Sequence, residues 1–346
     1  MRIGILNVQV PFIRGGAEVL AESLRDELKK RGYEADIITL PFKWYPSEAI
    51  IDSILMARMV DIEEVNGEKI DRVIALKFPI YYTKHENKVL WLCHQHRQAY
   101  DLWNTDHGDL QSMKNGNEVR KLITECDNKF IPKAMKVFTI SQTVTDRLAK
   151  YNSIRATTLY PPPKNLELFK PGLAEDYIFY PSRIDPIKRQ ILLVQALKYC
   201  KTPVRVIIAG SGDKNTINEI SATAKIDGPS SRLEMRGYIS EEEKIELYSR
   251  SLGVYFGPYQ EDYGYVTLEA FFSEKPVITH PDSGGPTEFV NENTGFVVNP
   301  DPKSIAYAMD QLYENRTLAQ RLGENGFELM KKFNINWDYV VEQLLS

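Results

Sequence analysis

The sequence lacks several features that mark common classes of protein. Only 3 of its 346 residues are cysteine, and Cys93, Cys126 and Cys200 form no CxxC pair. Scattered cysteines in odd number predict free thiols in a reducing compartment rather than a disulfide framework. No apolar run approaches the length of a membrane-spanning helix, and there is no internal repeat or low-complexity tract. These absences disfavour integral membrane and repeat architectures.

A strong charge of one sign is also missing. Lysine and arginine number 43 and aspartate and glutamate 47, for a net charge of −4. This balance argues against a dominant nucleic-acid surface. Hydrophobic residues are 43% and charged residues 26%, which is typical of a globular protein, and the length allows two domains. The opening MRIGILNVQVPFIRGG predicts a first β-strand rather than a signal peptide. We therefore expect a cytoplasmic protein.

Signatures of a metal or a redox cofactor are weak. The chain contains no D-x-D pair to hold Mg²⁺ and no G-x-G-x-x-G fingerprint of a dinucleotide site. His94 and His96, with His107 as a third ligand, leave a zinc site as an alternative. No nearby carboxylate or cysteine arrangement completes a tetrahedral set, however. The sequence predicts no metal and no cofactor.

Alternating strands and helices predict an α/β protein with two Rossmann-like, doubly wound parallel-sheet domains facing a central cleft. The first domain is predicted over 1–165 and the second over 172–330, with a terminal helical segment over 331–346. The prolines of Tyr160–Pro163 and the following stretch indicate a linker between the domains. Other predicted elements matter below: helices over Trp44–Val60, Ile187–Tyr199 and Phe333–Ser346, and strands over Ile154–Leu159 and Leu252–Phe256.

The most informative stretch is Gly257–Gly285. A turn-rich loop carrying Glu261 follows the strand, and Gly264 opens a helix that contains Glu269. This spacing puts one carboxylate before the helix and one about a turn or more inside it. Both can face a group held above the helix N-terminus, where free N–H groups and the helix dipole favour an anion. The alternative is that Glu261 is a solvated loop acid and Glu269 lies on an exposed helix face.

The pattern E-x7-E, with Tyr263-Gly264 near its start and Leu268-Glu269-Ala270 at its end, resembles the signature of family 4 retaining glycosyltransferases of the GT-B fold. Lys275–Ile278 and Ser283–Glu288 continue the resemblance. It implies metal-independent, retaining transfer of a hexosyl group from a nucleoside-diphosphate sugar (GDP-mannose or a UDP-hexose). The implied acceptor is a glycan, a lipid-linked sugar or a small molecule, as in polysaccharide biosynthesis.

The resemblance assigns cations to the leaving group. Ser182–Arg189 is similar to the family's phosphate-binding segment, with Arg183 and Lys188 at the matching positions. Charge grows on a departing diphosphate, so both cations would stabilise the transition state more than the ground state. A surface salt-bridge pair is the alternative, and the adjacent Arg189 is a competing cation.

Further donor contacts follow from the same resemblance. Backbone N–H groups at the helix start would hold the diphosphate, Glu269 would accept hydrogen bonds from the ribose, and Glu261 would accept one from the donor sugar. The helix-start donors belong to Tyr265, Val266 and Thr267, which follow Gly264. Tyr238 matches a turn beside the nucleobase.

Two predicted site residues lie in the first domain. Gly16 belongs to a glycine pair that matches the family's first glycine-rich loop, although a simple tight turn is an alternative. His94 holds the place of a histidine that faces the donor sugar in the family. Gln95-His96 stand where relatives often have Thr-Pro, so His94 and His96 both remain candidates.

The expected partners are a nucleotide sugar and a glycan or lipid-linked acceptor, and no nucleic acid. Basic residues could also give peripheral contact with anionic lipid at the inner face of the membrane, with a solvated face as the alternative. They are Lys133, Lys136, Arg147 and Lys150. Two other functions on the same fold are a transferase-like protein that binds nucleotide sugar or glycan without turnover and a sugar-nucleotide 2-epimerase.

Overall fold

The computed structural model of the chain describes residues 1–227 and 230–346. The chain divides into two compact units. The first comprises Met1–Lys164 together with Ile335–Ser346, and the second comprises Asn165–Asn334. Each unit has its own parallel β-sheet, so the predicted α/β class with two Rossmann-like parallel-sheet domains is confirmed.

The first unit alternates strands and helices around one sheet. Its strands are β1 Arg2–Gln9, β2 Glu34–Pro41, β3 Glu64–Val65, β4 Glu68–Lys69, β5 Arg72–Lys77, β6 Lys88–His94, β7 Lys136–Thr139 and β8 Thr157–Thr158. Its helices before the second unit are α1 Gly16–Lys30, α2 Glu48–Met59, α3 Gly116–Phe130 and α4 Gln142–Asn152. The main sheet has the order β2-β1-β5-β6-β7-β8, and β3 and β4 form a separate hairpin. All neighbours in the main sheet are parallel.

The second unit has the strand order of a dinucleotide-binding sheet. Its strands are β9 Tyr177–Pro181, β10 Arg205–Ala209, β11 Leu233–Gly237, β12 Gly253–Tyr255, β13 Val277–Thr279 and β14 Gly295–Val297. Its helices are α5 Gln190–Ala196, α6 Lys214–Asp227, α7 Glu241–Arg250, α8 Tyr265–Phe272, α9 Pro302–Glu314 and α10 Arg316–Lys332. The order β11-β10-β9-β12-β13-β14 places the switch point between β9 and β12. Open α/β sheets bind ligands beyond the carboxyl ends of the strands at such a point.

The last helix, α11 (Trp337–Leu345), packs within the first unit. The guanidinium of Arg31, the residue that follows α1, pairs with Asp338, and Arg72 at the start of β5 donates to the Leu344 carbonyl at 3.0 Å. The Trp337 ring meets the buried Trp91 ring edge to face, with centroids 6.4 Å apart. The end of the chain is thus anchored to the first sheet by charge, backbone and ring contacts.

Several predicted boundaries are wrong, each for a local reason. The helix predicted from Trp44 begins only at Glu48, because Pro46 disfavours helical backbone at the preceding residue. The helix predicted from Ile187 is divided. Pro186–Lys188 is a 3₁₀ turn, and Arg189, with a φ of 55°, separates it from α5.

Two further predicted elements are shorter than expected. The terminal helix starts at Trp337 rather than Phe333, because the Asn336 side chain accepts a hydrogen bond from Tyr339 N–H and caps the helix there. The strand predicted over Ile154–Leu159 retains only Thr157–Thr158. Ser141 caps α4 in the same way as Asn336 caps the last helix, because its side chain accepts a hydrogen bond from Val144 N–H at 3.1 Å.

Candidate functional site

Lys188 and Glu261 form an ion pair at the switch point of the second sheet. Lys188 lies in the turn after β9, and Glu261 lies in the loop after β12. The Lys188 ammonium contacts Glu261 Oε2, and the two side chains are 14% and 22% exposed. The fold therefore brings together two residues that the sequence separates by more than seventy positions. Hydrogen bonds between charged groups of this kind are stronger than neutral ones.

The turn that carries Lys188 is fixed from several sides. The Asp185 carboxylate accepts a hydrogen bond from Ile187 N–H at 3.1 Å. Ile187 in turn accepts from Tyr259 N–H at 2.8 Å, and the Tyr180 hydroxyl donates to the Lys188 carbonyl. These contacts fix the backbone of the turn. The Lys188 side chain therefore starts from a defined position.

The Glu261 backbone is paired with the Ser283–Gly285 segment. Glu261 N–H donates to the Ser283 carbonyl at 2.8 Å, and Gly285 N–H donates to the Glu261 carbonyl at 2.9 Å. Gly284 has a φ of +73°, and a Cβ there would lie 2.4 Å from the Glu261 carbonyl oxygen. Only glycine fits position 284 without strain. The close approach of the Glu261 backbone therefore explains why a glycine stands there.

Arg189, the competing cation, is occupied within the unit. Its guanidinium donates to Asp282 at 2.7 and 3.0 Å and to the carbonyls of Gly257 and Pro258 at 2.9 and 2.6 Å. The side chain is 15% exposed. Arg189 therefore holds the loop that leads to Glu261, and its five donors have little left for a ligand.

Arg183 has a different environment. Its side chain is 57% exposed and lies 3.4 Å from the Asp185 carboxylate. Among the contacts of the described residues, this is a loose surface pair and does not reach Glu261. Arg183 is thus available to a ligand, but the fold does not hold its guanidinium in one place.

The start of α8 is built around Gly264. This residue has a φ of +93°, and a Cβ there would lie 2.7 Å from the Phe256 ring. Thr267 N–H donates to the Gly264 carbonyl at 2.9 Å. That donor is therefore used inside the first turn, whereas the sequence-based hypothesis assigned it to the diphosphate. Tyr265 and Val266 occupy the first two helical positions, where the helix dipole favours an anion.

Glu269 lies in α8 and is 12% exposed, so it does not occupy an open helix face. Its Oε1 accepts from Lys244 at 2.9 Å and its Oε2 from the Tyr248 hydroxyl at 2.7 Å. Burial lowers the pKa of Lys244, but the charges of Glu269 and Glu241 outweigh it and raise that pKa overall. Burial and the Glu269 charge raise the pKa of Tyr248 well above its ordinary value. A carboxylate has about four acceptor positions, so it can still accept bonds from a ligand.

Sequence reasoning missed Lys244 and Tyr248. They lie four residues apart on α7 and therefore share one helix face. That spacing is the only signal in the sequence that could have linked them to one carboxylate.

Tyr238 is 86% exposed and follows Gly237, which has a φ of +63° at the end of β11. The ring is therefore presented on a tight turn and is open to stacking with a flat ligand.

In the first unit the structure separates the roles of His94 and His96. His94 ends β6, is partly exposed, and its Nδ1 lies 2.6 Å from the Gln95 carbonyl. Nδ1 must carry the proton to donate to that oxygen, which leaves Nε2 as the acceptor atom. His96 is 8% exposed and packs on the rings of Phe78 and Phe42, with centroids 5.1 and 6.1 Å away. Burial, and then the charge of His94, lowers the pKa of His96 to about 3. His96 is a neutral core residue, and His94 is the better candidate.

A buried carboxylate fixes the segment after His94. Asp127 is fully buried and accepts from the hydroxyls of Tyr81, Tyr82 and Tyr100 at 2.8, 2.7 and 2.6 Å. Burial raises the pKa of Asp127, opposed by these hydroxyls. Gln95, next to His94, donates to Asn152 at 2.5 Å and lies 3.5 Å from Asp127. Sequence reasoning missed this network, because its members come from four separate segments.

Gly16 is the exposed first residue of α1. The turn before it is closed by Gly15 N–H, which donates to the Glu18 carboxylate at 2.8 Å. Glu18 also accepts from Lys77 at the end of β5, at 3.2 Å. The tight-turn alternative therefore accounts for the local geometry, and Gly16 also leaves the helix start unshielded.

Across 1–227 and 230–346, no group of three or more histidine, cysteine, aspartate or glutamate side chains is arranged to hold a metal ion. No helix in the same residues is long and apolar enough to cross a bilayer.

Known proteins share this fold and part of this sequence. A family described as glycosyl transferases group 1 matches residues 166–329. The chain is 27% identical to alpha-1,3/1,6-mannosyltransferase ALG2 of Homo sapiens over 37% of this chain and 32% of that protein, so the match spans about a third of that relative. It is 23% identical to D-inositol 3-phosphate glycosyltransferase of Corynebacterium diphtheriae over 100% of this chain and 94% of that one. A structure of Anabaena Alr3699/HepE with UDP and glucose superposes with a TM-score of 0.72 at 17% identity, covering 99% of both chains.

The parallel sheets of the two units and the superposition on the Alr3699/HepE structure show the GT-B fold. Residues 166–329 match the glycosyl transferases group 1 family, as the resemblance of Gly257–Gly285 predicted, and an assignment to family 4 is consistent with this match.

Proposed function

We propose that the protein transfers a hexosyl group from a nucleoside-diphosphate sugar to a glycan, lipid-linked sugar or small-molecule acceptor, with retention and without a metal ion. The observation that carries this proposal is the Lys188–Glu261 pair at the switch point of the second sheet. A cation and an acid held there can serve the two parts of such a donor, its phosphates and its sugar.

Lys188 acts on the leaving group. As the bond between the sugar carbon and the phosphate oxygen breaks, negative charge grows on the diphosphate, and the lysine stabilises that charge most in the transition state. Arg183, exposed and loosely paired with Asp185, turns to the same diphosphate when the donor is bound. The start of α8, at Gly264, Tyr265 and Val266, holds the phosphates through its N–H groups and dipole.

Glu261 acts on the sugar. Its carboxylate accepts a hydrogen bond from a sugar hydroxyl and faces the positive charge that develops at the reacting carbon. The acceptor oxygen attacks that carbon on the face from which the phosphate leaves, and its proton passes to the departing phosphate oxygen. Because the acceptor enters on the face from which the phosphate leaves, the configuration is retained. One carbon–oxygen bond breaks and one forms, so no redox partner is needed.

The remaining predicted residues position the two ends of the donor. Glu269 accepts bonds from the ribose while Lys244 and Tyr248 hold its carboxylate. The exposed Tyr238 ring stacks on the nucleobase. In the first unit, His94 offers its Nε2 to a sugar, and the unshielded helix start at Gly16 lets a ligand approach the backbone closely.

Relatives support the class of donor and acceptor. One neighbour holds UDP and glucose, and one relative is a mannosyltransferase, which suits a UDP-hexose or GDP-mannose donor. The absence of a D-x-D pair in the sequence supports metal independence. The basic residues Lys133, Lys136 and Lys150 support peripheral contact with anionic lipid at the inner face of the membrane.

The test is a panel of GDP- and UDP-sugars, with hydrolysis and transfer read by mass spectrometry in the presence and absence of EDTA. Glu261→Gln and Lys188→Met should each lower turnover by about 10²–10³-fold. The exposed Glu292→Gln and Lys303→Met are matched controls and should leave it unchanged. Full activity in Glu261→Gln would contradict the mechanism. Nucleotide binding by calorimetry with no product from any donor would show a binding protein instead.

A further inference from the structure

Lys244 and Tyr248 each occupy one oxygen of the Glu269 carboxylate in the second unit. Lys244 Nζ donates to Oε1 at 2.9 Å, and the Tyr248 hydroxyl donates to Oε2 at 2.7 Å. A carboxylate has about four acceptor positions, two on each oxygen. One position is therefore left on each oxygen. Because the Glu269 side chain is 12% exposed rather than fully enclosed, a ligand can reach these two neighbouring acceptors.

The two residues that hold the carboxylate are themselves fixed by packing. Tyr248 is fully buried, and its ring meets the rings of Phe179 and Phe169 edge to face, with centroids 5.1 and 5.8 Å away. Lys244 Nζ lies over the same Phe169 ring, 5.7 Å from its centroid. Since neither residue is free to move, the Glu269 carboxylate keeps one orientation before a ligand binds.

The charge of this cluster indicates which kind of ligand group it accepts. Lys244 lies 2.9 Å from Glu241 and 2.9 Å from Glu269, so two carboxylates share one ammonium and the net charge is −1. That charge disfavours a phosphate or a carboxylate, and Lys244 already supplies a cation. Hydroxyl groups remain as the donors that fit. Two adjacent hydroxyls on one ring can each donate to one oxygen, so the open acceptors suit a vicinal diol.

The position of Glu269 in α8 indicates which diol this is. Glu269 follows Tyr265 and Val266 by four and three residues, so the three share one face of the helix. The first two stand at the helix start, where an anion is favoured. A group bound by Glu269 is therefore about one turn, or about 5.4 Å, from that anion. In a nucleoside diphosphate, the ribose carries two adjacent hydroxyls and is joined directly to the phosphates.

We propose that Lys244 and Tyr248 are positioning residues that make the site selective for ribose over 2′-deoxyribose in the nucleotide. The inference rests on the proposed function, because it deepens the role given there to Glu269. With both residues in place, each carboxylate oxygen accepts a hydrogen bond from one ribose hydroxyl. Without either of them the carboxylate can turn, so that a single oxygen meets the ribose and the second hydroxyl contributes little to binding.

The test measures nucleotide affinity by calorimetry, with no acceptor present. UDP and GDP are both titrated, and the tighter of the two is then compared with its 2′-deoxy form. The wild type should bind the ribose form at least about tenfold more tightly, because the deoxy form lacks one bond to a charged group. Tyr248→Phe and Lys244→Met should each reduce this preference to about twofold, because the carboxylate no longer holds both hydroxyls. Tyr248→Phe keeps the ring and carries the test should Lys244→Met fail to fold.

Two matched controls separate positioning from a merely structural role. Tyr177 is another buried tyrosine of the second unit, and its hydroxyl donates to a carbonyl of α7 at 2.8 Å. Lys275 is another buried lysine, and its Nζ donates to a loop carbonyl at 3.0 Å. Tyr177→Phe and Lys275→Met should lower the melting temperature, as Tyr248→Phe and Lys244→Met do, and should keep the wild-type preference for ribose.

A wild-type preference that persists in Tyr248→Phe, or in a folded Lys244→Met, would overturn the proposal. So would a loss of preference in the two controls, or equal affinity of the wild type for the ribose and deoxyribose forms. In these cases donor turnover can persist, so the proposed function would stand. A preference lost only in the two test variants, with no product from any donor sugar, would support the proposal and refute transfer alone. Failure of the wild type to bind either nucleotide would overturn both.

Discussion

The carboxyl edges of the two sheets differ in chemistry although both sheets are parallel and similarly built. At the edge of the second sheet, charged side chains are paired, as in Lys188–Glu261 and Arg189–Asp282. At the edge of the first sheet lie a half-buried His94, aromatic rings and an apolar cavity. The family description matches 166–329, which lies entirely in the second unit.

This difference shows which kind of ligand requires a sequence motif that can be recognised. A diphosphate has fixed charges, so its site needs cations, acids and a helix start in set positions, and each of these groups lies in a short stretch such as Ser182–Arg189 or Glu261–Glu269. An acceptor that is recognised through apolar or ring contacts can be served by many residue combinations. The second unit is therefore recognisable from short motifs, and the first is not.

The largest expected effect separates two adjacent cations of the second unit. Lys188→Met should lower turnover about 10³-fold with little change in stability, because it removes a group that contacts the leaving phosphates. Arg189→Met should lower the free energy of unfolding by about 3 kcal/mol, because it leaves Asp282 and two loop carbonyls without their partner. Donor hydrolysis and urea unfolding of both variants measure the two effects. The assignment is wrong if the two substitutions exchange these effects.

A comparable stability effect is expected from a buried acid of the first unit. Asp127→Ala should lower the free energy of unfolding by about 3 kcal/mol, because three tyrosine hydroxyls lose their common acceptor in the core. The exposed Asp146→Ala is the matched control and should change it by less than about 0.5 kcal/mol. Chemical denaturation followed by circular dichroism provides the measurement. A small effect at Asp127 would mean that the network does not hold the segment after His94.

The two histidines of β6 and its loop should behave in opposite ways. His96→Ala should cost about 2 kcal/mol of unfolding free energy, because it empties a space between Phe42 and Phe78. His94→Ala should leave stability nearly unchanged and lower turnover at least about tenfold, because it removes a contact to the donor sugar. Thermal melts of both variants measure the change in stability, and donor assays measure the change in turnover. Normal turnover in His94→Ala would exclude this histidine from the site.

The smallest expected effect is a pH dependence of the first unit. Lys88 is 4% exposed. Its burial lowers its pKa from 10.5 to about 8, and the nearby charges of Arg58 and Lys133 contribute to this shift. Below pH 8 both the folded and the unfolded chain hold the proton, so the full cost of burying the charge is present. As pH rises towards 10.5 the folded protein releases the proton first, and stability increases.

Between pH 7 and 9.5 the wild type should therefore gain about 1–2 kcal/mol of unfolding free energy relative to Lys88→Met. Urea titrations at the two pH values measure that difference. A constant or falling difference would show that Lys88 stays protonated in the fold, held by the carbonyls of Tyr81 and Thr83.

The fold was predictable because its signals are local. A few consecutive residues determine a buried strand such as Arg72–Lys77 or a helix cap such as Ser141. The boundaries at Glu48 and Gln190 were missed because Pro46 and the left-handed Arg189 act against an otherwise helical pattern.

Within the candidate site, the sequence named residues but not their contacts. Glu261 and Lys188 were both predicted as site residues, but their pairing depends on the neighbouring positions of β9 and β12 in the sheet. Lys244 and Tyr248 were missed because their link to Glu269 is a tertiary contact between two helices. Thr267 was assigned a ligand contact although its N–H closes the first turn of α8.

Under the proposed function, the Lys188–Glu261 contact has a consequence for the order of events at the site. Without a donor each group satisfies the other, so a donor that binds both must first separate them. The free energy spent on that separation lowers the affinity for the donor and is recovered when the nucleotide leaves and the ion pair forms again. The same contact is therefore expected to weaken donor binding and to favour nucleotide release.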